Sequence, residues 1–166
     1  MLDKLYYIQS ILPELLLESD WNTLDINYEK PHVQRVWRQV DDLRVSLHRI
    51  FPCKINECFF HPHPWPSAMK IESGRYEMAL GYGTDLNAKL NIATIILSPG
   101  SYYEMTDIDS WHSVRPLGGP VMSLMVTGKP WGRQMPKSDR IQLSCLTDET
   151  KFDIMGFFRR VYPSVK

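Results

Sequence analysis

The chain has 166 residues, 43% hydrophobic and 23% charged, a composition that suits one soluble domain with a real core. Lys+Arg and Asp+Glu number 19 each, so the formal net charge is zero. That balance argues against a general nucleic-acid binder and against a binder of anionic membranes, both of which need a basic surplus. No apolar run reaches the roughly 18 residues of a membrane span. The N-terminus MLDKLYYIQSILPELLLESD is interrupted by Pro13 and Glu14, and no small-residue cleavage site follows, so no secretory signal is read there. Three cysteines, Cys53, Cys58 and Cys145, form no C-x-x-C pair, which predicts reduced thiols and a cytoplasmic location. Each is expected to act as a small buried apolar residue.

In chain order, Leu5, Ile8, Leu12, Leu15 and Leu16 fall near a 3.6-residue period. They predict helical turns broken at Pro13 and then a further short helix, over a segment 1–20 that packs outside a sheet. Trp21 to Tyr28 carries a weak signal, and Glu29-Lys30-Pro31 reads as a turn. The period then changes to two. Val33 to Val40 reads as a strand ending at Asp41-Asp42, and Leu43 to Phe51 as a second. Ile55 to His63 reads as a third strand that enters His61-Pro62-His63-Pro64-Trp65-Pro66. Proline donates no ladder hydrogen bond, so this stretch belongs at a strand end or bulge.

Ala68 to Glu72 and Tyr76 to Tyr82 flank a tight Ser73-Gly74 turn. Gly83 to Lys89 is a polar connection, and Ile92 to Leu97 ends at Ser98-Pro99-Gly100. Tyr102 to Thr106 and Trp111 to Val114 form a hairpin over Asp107-Ile108-Asp109. Val121 to Thr127 follows the Gly118-Gly119-Pro120 turn, Arg140 to Leu146 reads as a last strand, and Phe152 to Tyr162 as a terminal helix. About nine or ten short strands with turns between them predict an antiparallel sandwich or barrel rather than an α/β fold. There is no repeat, Gly-rich phosphate loop, nucleophile elbow or zinc-finger spacing.

The chemistry concentrates at three histidines. Alternation in a strand puts His61 and His63 on one face, where two imidazoles can hold one metal ion from one side. His112, on another strand, would complete a triad with open positions for substrate or dioxygen. His32 and His48 have no partner at ligand spacing and read as structural or surface residues. Arg38 is a candidate for a substrate carboxylate, because a planar guanidinium fork suits that group. A surface arginine paired with Asp41 or Asp42 is the alternative, and Arg49 and Arg115 compete for the role. Tyr102 and Tyr103, the latter above all, could aim a hydroxyl at a bound substrate, and the strand methionines read as core filler.

These residues resemble the cupin superfamily. Its first motif holds H-x-H, an acidic ligand and a Gly turn, and its second another metal-binding histidine. His61, His63 and Gly74 look like the first motif, and His112 like the second. The glutamate that usually follows the second histidine by four or five residues is replaced by Ser67 or Ala68. A three-histidine site without carboxylate is the form found in thiol dioxygenases. The run from Tyr103 to Val114 is similar to the ligand-histidine hairpin of the cysteine dioxygenase family. Pro120-Val121-Met122-Ser123-Leu124 resembles its next strand, and Trp37-Arg38-Gln39-Val40-Asp41 its carboxylate-binding segment. The cysteine that some members cross-link to a tyrosine has no match, since Ala68 lies there.

The resemblance implies a single cupin-type antiparallel β-barrel (jelly-roll), mainly β, over 33–146, with an N-terminal helical segment and a C-terminal extension 147–166 holding a short helix. It implies an Fe(II) dioxygenase acting on a small thiol- or carboxylate-bearing substrate, with Zn, Ni or Mn as other ions for the same ligands. A non-oxygenase metal-binding cupin (an isomerase, a lyase or a small-ligand-binding module) and a metal-free interaction protein stay open as alternatives. Cupin barrels often pair through edge strands, so a homodimer is also allowed.

Overall fold

A computed structural model describes residues 1–84, 90–132 and 144–164. Its elements are α1 (Leu2–Leu15), β1 (Asn22–Ile26), β2 (Val33–Val40), β3 (Leu43–Ile50), β4 (His61–Pro62), β5 (Ser67–Ser73), β6 (Tyr76–Tyr82), β7 (Leu90–Leu97), β8 (Tyr102–Met105), β9 (Ser110–Pro116), β10 (Val121–Thr127) and α2 (Asp148–Val161). The strands form two antiparallel sheets, ordered β1-β2-β3-β10-β5-β8 and β4-β9-β6-β7. No ladder joins the two sheets among the described residues, and the architecture is a cupin-like sandwich of two antiparallel sheets, as expected for a jelly-roll.

The six-stranded sheet is covered on both faces. Its outer face carries Val36, Val45, Leu47, Leu124 and Val126, which pack under Leu5, Ile8 and Leu12 of α1 and Ile154 and Phe158 of α2. Its inner face carries Ile50, Ile71 and Val121, which meet Tyr76 and Met78 of the second sheet. Parity therefore divides each strand. On β2, Val36 and Arg38 face the helices, whereas Arg35 and Trp37 face the inside of the sandwich.

The structure corrects several element boundaries. The helix α1 runs through Pro13 to Leu15 instead of breaking there. A helix-interior proline costs about 3 kcal/mol. Leu12, Leu15 and Leu16 on the same turn are buried, each contributing roughly 1.5–3 kcal/mol, so packing outweighs the lost bond. The weak segment after Trp21 forms the edge strand β1, paired with β2 from Asn22↔Trp37 to Ile26↔Val33. The strand expected over Ile55 to His63 shrinks to β4, preceded by a 3-10 turn at Ile55–Glu57. Helix α2 begins at Asp148, with the Thr147 hydroxyl accepting from the Thr150 N–H at 3.2 Å as its N-cap.

Of the strand expected over Arg140 to Leu146, residues 140–143 lie outside the described residues, as do 85–89 of the polar connection. Ser144 makes one antiparallel bridge to Asp25. The cysteines are free, as expected, but none is buried: Cys53 and Cys58 are half-buried and Cys145 is exposed. No described helix is long and apolar enough to cross a membrane.

Candidate metal centre

The ladder between β4 and β9 sets His61 directly opposite His112, which in turn pairs with Leu80 of β6. Facing residues of an antiparallel pair carry their side chains about 4.5–5.5 Å apart on one side. His63 follows two residues on, and its side chain comes to the same point. The ring centroids lie 5.4 Å apart for His61–His63, 5.0 Å for His61–His112 and 4.6 Å for His63–His112. One ligand nitrogen from each ring falls within 4.8 Å of the others. The turn after His63 is pinned by the Gly128 N–H on the Pro66 carbonyl at 2.9 Å and the Trp131 N–H on the Pro64 carbonyl at 2.8 Å. Upstream, Phe59 donates to the Lys30 carbonyl at 2.8 Å and stacks on His61 at 5.0 Å.

Two of the rings have their outer nitrogens engaged. His61 Nδ1 contacts the Phe59 carbonyl at 3.1 Å and His63 Nδ1 the Ser67 hydroxyl at 2.9 Å. A carbonyl only accepts, so His61 carries its proton on Nδ1 and its Nε2 lone pair is free. His63 Nε2 and His112 Nε2 approach to 2.8 Å. Metal–nitrogen bonds of about 2.1 Å at a right angle separate two ring nitrogens by about 3.0 Å, close to that spacing. His112 Nδ1 is buried without a hydrogen bond, so no described neighbour fixes its proton. Such a set of neutral nitrogens, two of them oriented from outside, fits a divalent cation.

Burial keeps the rings neutral. It is the largest cause holding His63 down to about 3, followed by the nearby His61 and Arg35 charges. Burial likewise lowers His61 and takes His112 well below the ordinary histidine value. An unprotonated imidazole is the ligating form, so the trio is ready to bind at neutral pH.

The inner wall of the large sheet adds groups that sequence reasoning missed. His48, read as structural or surface, is buried at 3% exposure and accepts from Arg35 Nε at 2.8 Å. Arg35 points inward, with its pKa lowered to about 10 chiefly by burial and then by Arg44. Its parity with Val33 and Trp37 was the available signal. Arg38, expected to hold a substrate carboxylate, lies on the opposite face. Its guanidinium is taken by Glu18 at 2.8 Å and Asp20 at 3.0 Å, over the Trp21 ring. Tyr103 is inward-facing: it accepts from the Tyr76 hydroxyl at 2.8 Å, donates to Met69 Sδ at 3.0 Å, and has its ring 6.4 Å from that of His112. Burial raises the Tyr103 pKa, so the phenol stays protonated. His32 stands elsewhere, on Asp25 and stacked with Phe51.

A cleft of about 310 Å³ opens on the outer face of the small sheet between Cys58, Phe60, Glu77, Ser113 and Arg115. The histidines point the other way. Beside that cleft, Cys53 Sγ and Cys58 Sγ lie 3.4 Å apart, and burial with the Cys53 contact pushes the Cys58 thiol up to about 12.

No family model matches the chain, and no curated protein matches it in sequence. Among solved structures it is similar to hydroxypropylphosphonic acid epoxidase from S. wedmorenis, with a TM-score of 0.51 and 12% identity over 65% of this chain and 55% of that one. It is also similar to Fe(II)-HppE with the alternative substrate (S)-1-HPP, with a TM-score of 0.52 and 11% identity over 65% of this chain and 56% of that one. The matched region thus spans little more than half of either structure. Identity at this level carries the fold alone: a mainly β, cupin-like sandwich of two antiparallel sheets with a helix at each end of the sequence.

Proposed function

We propose that the chain is a mononuclear metal enzyme of the three-histidine kind, an Fe(II)-dependent dioxygenase of a small substrate bearing a thiol or a carboxylate. The observation that carries this reading is the convergence of His61, His63 and His112 in a buried niche, with an unneutralised arginine on the facing wall. Bound at these nitrogens, Fe(II) supplies a Lewis-acid centre and electrons for coupling a substrate to dioxygen. Zn, Ni or Mn would suit the same ligands for a non-oxygenase reaction.

The remaining roles belong to side chains. Three neutral imidazoles leave the ion's charge uncompensated, and Arg35 adds a further positive charge, so the niche favours an anionic substrate. Arg35, with Nε engaged by His48, offers its terminal N–H groups to a carboxylate in place of Arg38. His48, kept neutral chiefly by burial and then by Arg35, orients that fork without competing for the anion. Tyr103 brings its protonated phenol ring to 6.4 Å from the His112 ring, and its O–H, held on Met69 Sδ, would have to turn from the sulfur to meet a substrate. Buried Met69 and Tyr76 and half-buried Leu80 supply apolar surface beside these groups, and a less polar surrounding strengthens each polar contact.

Anaerobic loading with Fe(II) followed by oxygen uptake with small thiols, with and without a carboxylate, tests the reading. One iron per chain and thiol-dependent uptake that disappears in His112→Ala are expected. Iron bound without uptake, or zinc or nickel held preferentially with no uptake, would transfer the chain to the non-oxygenase class.

A further inference from the structure

A second, smaller cleft of about 150 Å³ opens at the β2–β3 hairpin end of the sandwich, between Gln39, Asp42, Arg44, Trp65, Thr127 and Lys129. Its centre is Arg44. The guanidinium carbon lies 4.8 Å from the Trp37 ring centroid and 5.3 Å from that of Trp65. Aromatic faces orient a guanidinium and desolvate its flat side, but they do not neutralise it. Polar partners must then come to its N–H edge.

No described carboxylate does so. Arg38, Arg49 and Arg115 each meet an acid, Glu18 and Asp20, Asp153, and Glu77 respectively. Arg44 makes no such pair among the described residues. Asp42, the one carboxylate lining the cleft, is held by Lys129 at 3.1 Å. Two donors at the cleft, Arg44 Nε and Trp65 Nε1, are buried without any acceptor. Two unanswered donors and an unpaired cation call for an acceptor beyond Asp42, which Lys129 already holds, and one of negative charge satisfies them best.

We propose that this cleft is an anion subsite that takes one carboxylate or phosphate group, received by Arg44 with Lys129 at the rim. Nothing in this assignment requires a metal, so it stands or falls apart from the oxygenase reading. Its position nonetheless ties it to the histidines. Across the ladder Arg44 pairs with Thr127 and Thr127 with Ser67, the residue that contacts His63. Two strand spacings, about 10 Å, separate Arg44 from Ser67. Trp65 sits in the turn between His63 and Ser67, so one short segment serves both places.

The flanking indoles supply the readout. The metal-free full chain is titrated with inorganic phosphate and, separately, with acetate, chloride holding the ionic strength constant, while tryptophan emission is followed. A saturable change beyond the chloride control is expected, weakened at least about tenfold in Arg44→Gln and by about two- to fivefold in Lys129→Met. Arg35→Met should leave it in place, which separates the cleft from the niche at the histidines. A stronger response to phosphate or to acetate identifies which oxyanion the cleft prefers. The proposal is overturned if no saturable change occurs, if Arg44→Gln binds as tightly as the parent, or if Arg35→Met abolishes the response. Should Arg44→Gln fail to fold, the exposed Lys129→Met substitution decides: unchanged affinity there also overturns it.

Discussion

Ser67 Oγ meets His63 Nδ1 at 2.9 Å, and this one hydroxyl orients a ring that would ligate through its other nitrogen. Outer partners of metal-bound histidines typically contribute 10–100-fold to affinity. Ser67→Ala should therefore weaken metal binding by roughly 10–100-fold without removing a ligand, which a competitive chelator titration measures. Arg35→Met should raise KM about 10–100-fold for a carboxylate-bearing substrate and leave a thiol lacking the carboxylate unaffected, since a hydrogen-bonded charge pair is worth roughly 1.5–3 kcal/mol. Acid should unfold the metal-free protein early. An unfolded histidine takes up a proton near its ordinary value of 6.5, whereas folded His63 does so only near 3. Between those values the unfolded chain binds more protons, so stability that is complete above about pH 6.5 is lost as the pH falls. The loss is about 1.4 kcal/mol per pH unit for each such histidine, and His48, His61 and His112 shift in the same direction. Urea midpoints that stay constant between pH 7 and 4.5 would contradict it.

Turns and caps decide how the elements meet. Gly74 links β5 and β6 at φ +72°, and a Cβ there would stand 2.7 Å from the Pro120 carbonyl oxygen. Gly74→Ala combines strain with a backbone clash and should cost about 2 kcal/mol or more, read from urea unfolding. Thr147→Ala removes the N-cap of α2 and should cost about 1 kcal/mol. The strands with clear two-residue alternation were legible, and β2 has the bounds that the pattern predicts, while turn residues on either side gave the bounds of β6 and β10. β1 was not, because Asn22-Thr23-Leu24-Asp25-Ile26 is a polar edge strand held by its neighbour rather than by its own composition. β4 was overextended because Cys58-Phe59-Phe60 looks like a strand while the prolines after His61 cut the ladder to two residues.

For the whole molecule, the histidine trio was readable because alternation decides which side chains share a face. The inward arginine was not, because alternation does not say which face of the sheet turns to the inside. Every residue of β10 is buried, since helices cover one side of the large sheet and the second sheet covers the other. Apolar residues then stand on both parities, and only the assembled sandwich distinguishes Arg35 from Arg38. Metal bound at the trio would couple to stability. An ion at 100 times its Kd stabilises the folded state by about 2.7 kcal/mol, so saturating Fe(II) or Zn(II) should raise Tm by roughly 5–10 °C. His61→Ala should abolish that rise; an equal rise in the variant would place the ion elsewhere.

The pairing of His61 with His112 also makes the site sensitive to counting. The spacing of these two imidazoles is set by the backbone, not by the choice of side-chain conformer. One extra residue in the 52–57 bend could be absorbed as slack, because Phe59 is anchored afterwards on Lys30. The same insertion between Phe59 and His61 would turn a phenyl ring toward His63 and His112 and send the imidazole out to the groove beside Ser113. Natural or engineered length variation in this region should therefore be tolerated up to that anchor and excluded between it and His61.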